Sequence, residues 1–239
     1  MLSGDSPDWT DWEPGASPTV LDRYLPMKLG DVHLWELRSS QDWRARLRPD
    51  EVERHDRIRH PGVQADYATT QSGLRRIVSL YRGEDPDQVA IRRGPNGKPY
   101  RLGGPEFNLS HTEGGIFVAV SLNPVGLDVE STHRRVHGLE LARKFFSEAE
   151  VHELILCNES ERNAAFIRRW VAKEAMVKLS GEGIFLGLRE ALATREAGGG
   201  LSGNYRGRKV WLREIWPQKG LRGTLATWQP IEVKGFFRI

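Results

Sequence analysis

Two stretches of the chain carry the same long helical pattern, and together they narrow its possible folds more than any other feature. Tyr67 and Leu80, like Phe166 and Leu179, stand thirteen positions apart, and glycines follow both stretches, at Gly83 and at Gly181 and Gly183. In the second stretch Ile167, Val171, Ala175 and Leu179 recur every four residues and form an apolar stripe. Trp170, Glu174 and Lys178 make a second row beside it. A glutamate one turn ahead of a lysine reads first as a solvated pair worth about 0.3–0.5 kcal/mol to the helix.

The neighbours of these helices recur as well. "DVHLWEL" (31–37) alternates as a strand does, and "RPDEVERHDRI" (48–58) opens with Pro and acids as a helix does. "FSEAEVHELIL" (146–156) offers Ser147 as N-cap with Glu150 three positions on, a capping box. "QVAIRRG" reads as a short strand, "GPNGKPY" (94–100) as a turn, and 104–122 as two strands around a polar corner. "NPVGLDVE" (123–130) is a turn and a strand; "KVWLREIW" and "LRGTLATW" are strand-like, and "GFFRI" is an apolar tail. In each half a strand leads to a short acid-capped helix, a long helix and more strands, a weak internal duplication. The expected fold is α+β, two similar lobes in one chain with a ligand cleft between them. An irregular arm is expected at 1–18, an N-terminal lobe at 19–124 and a C-terminal lobe at 125–239.

Composition removes several functional classes. At 239 residues the chain can bury a sizeable core. No apolar run approaches the roughly 18–20 residues that span a bilayer, so no membrane segment is expected. The opening "MLSGDSPDWTDWEPG" has neither a basic flank nor an apolar h-region, which predicts no secretory signal and a cytoplasmic protein. One cysteine, Cys157, allows no internal disulfide and no thiolate zinc site; in an apolar helix it reads as inert core. Net charge is only +3, but the basic residues are uneven. Residues 44–60 hold six arginines and two histidines, and 91–101 hold three arginines and a lysine with no acid. Such local excess suits a phosphate-rich ligand or an ordinary solvated surface. Acids interspersed through 44–60 argue against nucleic acid as the partner.

Three short constellations could carry chemistry. In "GLDVE" (126–130) Asp128 and Glu130 lie two apart on a strand, so their carboxylates share a face. Such a pair needs open water or a cation, and oxygen-only ligands suit Mg²⁺. In "FNLSHT" (107–112) Ser110 and His111 put a hydroxyl beside an imidazole, which can bind a phosphate oxygen or simply form a satisfied turn. No G-x-S-x-G accompanies them, so a serine hydrolase is not indicated. In "GPNGKPY" a tight turn presents Lys98 as a point charge, without the spacing of a Walker A loop.

In order along the chain these read G-x-x-G-K-P, F-N-x-S-H, G-x-D-x-E and W-x-x-K-E-A-x-x-K-x-x-G-x-G. That order, from about Val32 to Gly187, resembles the Sfp-type 4′-phosphopantetheinyl transferase superfamily, and the size resembles its larger pseudo-dimeric members. The resemblance implies two pseudo-twofold α+β lobes. It implies transfer of the phosphopantetheine arm of coenzyme A onto a serine of an acyl or peptidyl carrier protein, with release of adenosine 3′,5′-bisphosphate. The metal carboxylates would be Asp128, Glu130 and Glu174, holding Mg²⁺. Glu174 would act as general base and Lys178 would meet the pyrophosphate, with Lys173 helping. Ser110 and His111 would contact phosphates of coenzyme A, Lys98 would lie near the adenine and 3′-phosphate, and Arg54 and Arg57 would clamp that phosphate. Asp66 stands where relatives place an arginine. Trp170 would be a packing anchor. The partner implied is an acidic helical carrier domain, met by a monomer, with Ile184, Phe185 and Leu186 in a docking loop. A catalytically silent module that holds coenzyme A or a carrier is the alternative.

Overall fold

The computed structural model describes residues 10–11, 25–39, 41–183 and 187–239. The chain is mixed α+β. Its strands are β1 (Thr10–Asp11), β2 (Asp31–Leu37), β3 (Arg92–Arg93), β4 (Pro99–Tyr100), β5 (Glu106–Thr112), β6 (Gly115–Ser121), β7 (Val125–Ser131), β8 (Ala191–Arg195), β9 (Leu201–Tyr205), β10 (Arg208–Ile215), β11 (Leu221–Thr227) and β12 (Glu232–Arg238). Its helices are α1 (Pro49–Asp56), α2 (Pro61–Leu80), α3 (Gly138–Phe145), α4 (Glu148–Leu156) and α5 (Glu159–Ser180). One sheet is ordered β1-β12-β2-β6-β5 and the other β7-β11-β10-β9-β8, while β3 and β4 form a small ribbon.

Alternation along the strands explains the layers. Val32 and Leu34 of β2 and Phe117 and Ala119 of β6 share a buried cluster with Val125, Leu127 and Val129 of β7 and Leu225 of β11. The two sheets therefore meet face to face. The opposite face of the first sheet carries Trp35, Leu37, Val118 and Val120 against Leu74, Ile77 and Val78 of α2. Ala172, Ala175, Met176 and Leu179 of α5 cover the second sheet through Ala191, Val210 and Ala226. The expected stripe on α5 is buried throughout, and Trp170 stacks on Phe166 at 5.6 Å as a packing anchor.

Each short helix is tied to the long one that follows it. The capping box at Ser147 forms as expected, and Glu150 there also accepts from Lys173 Nζ at 2.7 Å. In the first half Arg48 is the N-cap of α1, and its backbone N–H donates to Glu51 at 2.9 Å. Glu51 in turn accepts from Arg75 of α2 at 2.5 and 2.7 Å. Arg48 and Ser147, Glu51 and Glu150, Tyr67 and Phe166, and Leu80 and Leu179 are each 99 residues apart.

Several expectations need correction. The tail "GFFRI" belongs to β12, which pairs parallel with β2, so the last strand of the expected 125–239 lobe sits in the first sheet. Its Phe237 packs on Trp35 at 4.8 Å, an apolar contact that a free tail would lack. Helix α2 begins at Pro61, six residues ahead of the helical stretch that opens at Tyr67, with Pro61 pre-set for its first turn. Helix α3 and strands β8 and β9 have no counterpart among the elements expected from the sequence. Cys157 caps the end of α4, half-buried, and is not core. Of the expected 1–18 arm only β1 falls among the described residues; Ile184, Phe185 and Leu186 lie outside them. No described helix is long and apolar enough to cross a membrane.

Candidate active site

The site forms where β7 runs under α5. Gly126, Asp128 and Glu130 share the face of β7 turned to that helix. A Cβ at Gly126 would lie 2.0 Å from the Ala175 carbonyl oxygen and 2.6 Å from the Leu179 nitrogen, so only glycine lets the helix backbone descend this far. That contact brings the second row of α5 over the carboxylates. Lys178 Nζ donates to Asp128 Oδ1 at 2.6 Å.

Strand β5 supplies the other wall through an alternating polar row, Asn108, Ser110 and Thr112. Asn108 accepts from the Leu127 backbone N–H at 2.8 Å, and Ser110 Oγ accepts from that of Val129 at 2.9 Å. Ser110 also donates to Asp128 Oδ1 at 3.0 Å, and Thr112 donates to Glu130 at 3.1 Å. These side chains take the place of a backbone ladder between the facing edges of the two sheets. Their period of two is visible in the sequence, and it separates Ser110 from its neighbour His111, since successive strand residues face opposite ways. His111 reaches α2 instead, with Nε2 2.8 Å from Thr70 Oγ1. Desolvation lowers the His111 pKa, Asp66 opposes this, and Lys178 adds to it, so Asp66 of α2 borders the same centre.

Electrostatics marks Glu174 as the unusual group. Burial raises its pKa to about 7, the charges of Asp128 and Glu130 push the same way, and Lys178 and Arg134 oppose them. Its carboxylate has no hydrogen-bond partner among the described residues. Asp128 is also raised, chiefly by burial, against the pull of Lys178. Among the described residues no three His, Cys, Asp or Glu side chains are gathered closely enough to hold a metal ion. Two of the three expected ligands are turned to the protein's own cations, Asp128 to Lys178 and Glu130 to Arg134. By the chemistry of the donors, not by their spacing, the three carboxylates suit a hard divalent cation, and one of them is unpartnered among the described residues.

The remaining expected residues are dispersed. Lys173 is fully buried on another face of α5, bonded to Glu150 and, at 2.5 Å, to the Ala191 carbonyl, so it does not face the cleft. One residue is 100° of helix, which separates it from Glu174. Lys98 Nζ donates to the Lys178 carbonyl at 2.7 Å and caps the C-terminus of α5, while Asn96 donates to that of Gly181 at 2.9 Å. Both line a cleft of about 440 Å³ with Asn108, Leu109 and Lys178. Arg54 lies over the Tyr67 ring at 5.7 Å, and Arg57 pairs with Glu53 on the surface.

The site thus joins a helix clamped on a paired-carboxylate strand, a lysine over the carboxylates and a cleft alongside. The sequence profile of the 4′-phosphopantetheinyl transferase superfamily matches residues 124–226, from β7 through α5 to β11. The 4′-phosphopantetheinyl transferase HetI of Nostoc sp. is 31% identical over 172 residues, 67% of this chain and 73% of that protein. A Synechocystis sp. protein provisionally given the same enzyme name is 29% identical over 155 residues, 63% of each chain. The 4′-phosphopantetheinyl transferase Sfp of Bacillus subtilis is 30% identical over 117 residues, 48% of this chain and 51% of Sfp. The matches thus span between half and three-quarters of these relatives. The chain belongs to the 4′-phosphopantetheinyl transferase superfamily, a family of transferases.

Proposed function

We propose that this chain moves the 4′-phosphopantetheine arm of coenzyme A onto a serine of an acyl or peptidyl carrier protein and releases adenosine 3′,5′-bisphosphate. The observation that carries this is the juxtaposition of Asp128, Glu130, Glu174 and Lys178 beside the 440 Å³ cleft, inside the matched region. A serine hydroxyl has a very high pKa and needs a base as it attacks. Glu174, whose carboxylate lies beside Lys178 and is unpartnered among the described residues, is the base assigned to take that proton. Lys178 would supply a cation to the diphosphate, and Ser110 and His111 would offer donors from the two faces of β5. Asp128, Glu130 and Glu174 would hold Mg²⁺, which when bound supplies positive charge to the diphosphate as it cleaves.

The 99-residue recurrence of cap, glutamate and long helix supports two duplicated lobes, 19–124 and 125–231, with β12 returned to the first. A duplicated chain can complete one site as a monomer. The reaction's substrates suit a cytoplasmic enzyme, and a basic chain of pI about 9.1 suits an acidic helical carrier. Mass spectrometry of a carrier protein incubated with coenzyme A and Mg²⁺ tests the reading. Wild type should add the phosphopantetheine mass, and Glu174→Ala should slow the addition by about 10²–10⁴-fold. No addition by wild type to any carrier, or equal rates in the two proteins, would refute it.

A further inference from the structure

Arg134 belongs to none of the sequence motifs, and its position next to the acidic centre is specific. The loop after β7 is fixed at its backbone. Asn163 of α5 donates to the carbonyls of Thr132 at 3.4 Å and Arg134 at 3.2 Å, and the Thr132 N–H donates to that of Gly220 at 2.8 Å. The side chain is not so fixed. It is 54% exposed, and among the described residues its one ion pair is with Glu130. Glu130 itself is well held, accepting from Thr112 and from the Ser131 N–H at 2.9 Å, so it cannot swing away from the site to follow the guanidinium. The Arg134 charge also reaches Glu174.

We propose that Arg134 is the built-in counter-ion of the site, occupying Glu130 in competition with the divalent cation and so setting how tightly that cation binds before substrate arrives. The inference rests on the metal reading above. An anchored backbone with an exposed cationic arm is suited to such a role. The arm balances the carboxylates when they stand alone and leaves without disturbing the fold. An exposed pair of this kind is weak enough to be exchanged. Lys178 balances Asp128 similarly but is less exposed, so Arg134 is the readier to move.

The test is Mn²⁺ binding to the full chain without substrate, read by electron paramagnetic resonance at low salt. Arg134→Gln should tighten binding about two- to fivefold relative to Arg135→Gln. Arg135 is an exposed neighbour without an ion pair among the described residues, and its variant makes the same change in net charge. Arg134→Lys should stay near wild type, and the difference should shrink as salt rises. Affinity in Arg134→Gln equal to or weaker than in Arg135→Gln overturns the proposal. Should Glu174→Ala bind Mn²⁺ as well as wild type, the metal reading fails and this inference with it. Weakened binding in Glu174→Ala without a gain in Arg134→Gln removes this inference alone.

Discussion

The two long helices have nearly the same frame and very different duties. Both are pinned by a buried cation to the capping-box glutamate of the short helix before them, Arg75 to Glu51 and Lys173 to Glu150. Each covers one face of a sheet whose other face meets its counterpart. Only α5 carries a carboxylate and a lysine over a strand with two more carboxylates. From α2 come Thr70, against His111, and Asp66. The frame is shared and the charge is not: one half builds the reacting centre and the other walls it in.

The largest effect should come from breaking the shared frame. Lys173→Met leaves the buried Glu150, and Arg75→Met the partly buried Glu51, without its cation, and each should cost about 3–5 kcal/mol in chemical denaturation. The pair Lys173→Met with Glu150→Gln should recover part of the loss. A large cost for one cation and none for the other would break the equivalence of the halves.

The next effect separates them. Gly73 of α2 faces Leu37, where an added Cβ would meet a side-chain carbon at 2.6 Å that can rotate away. Gly126 faces the backbone of α5, which cannot. Gly73→Ala should stay within about 1 kcal/mol of wild type, since helix propensity gained offsets the crowding. Gly126→Ala should cost about 3 kcal/mol and lower transfer activity by displacing Glu174. Equal costs would mean that the helices sit equally close to their sheets.

What the sequence disclosed follows the same division. Periodic features are legible in it: the α5 stripe, the Ser147 capping box, and Asp128 and Glu130 on one face of β7. Features set by packing at a distance are not. Lys173 and Glu174 are adjacent in the motif, but whether a lysine on a helix meets solvent or a buried glutamate depends on α4, which lies in a separate segment. Lys98 reads as a free point charge because nothing local to its turn shows that the end of α5 docks there. The β12 tail lacks a partner in sequence because its partner, β2, is some two hundred residues away. Arg134 shows no periodicity at all.

Metal binding should sharpen the contrast through pH. Glu174 has a folded pKa of about 7, above the ordinary 4.5, so the metal-free fold is favoured while this group is protonated and loses that stability as pH rises through 7. The loss should be about 2–3 kcal/mol between pH 5 and 8. Mg²⁺ binds the ionised form, so its stabilisation in a thermal melt should be larger at pH 8 than at pH 6. Glu174→Gln should flatten both trends and melt higher than wild type at pH 8 without metal, while losing activity. On the α2 side Asp66 holds the His111 pKa up against desolvation, so Asp66→Asn should cost stability only below the ordinary histidine pKa and leave the Glu174 trend unchanged.

The smallest effect concerns how the two helices end. Helix α2 stops at Tyr81, whose hydroxyl accepts from Trp35 at 2.7 Å within its own half. Helix α5 is closed from the other half of the chain, by Lys98 on the Lys178 carbonyl and Asn96 on that of Gly181. Lys98→Met should cost about 1 kcal/mol and Asn96→Ala about half that, both read by urea unfolding. Because the Lys98 contact holds the backbone of Lys178 itself, its loss should also raise the KM for coenzyme A more than it lowers kcat. Unchanged stability with a raised KM would make Lys98 a ligand contact alone, and α5 would then need no help from the opposite half to end where it does.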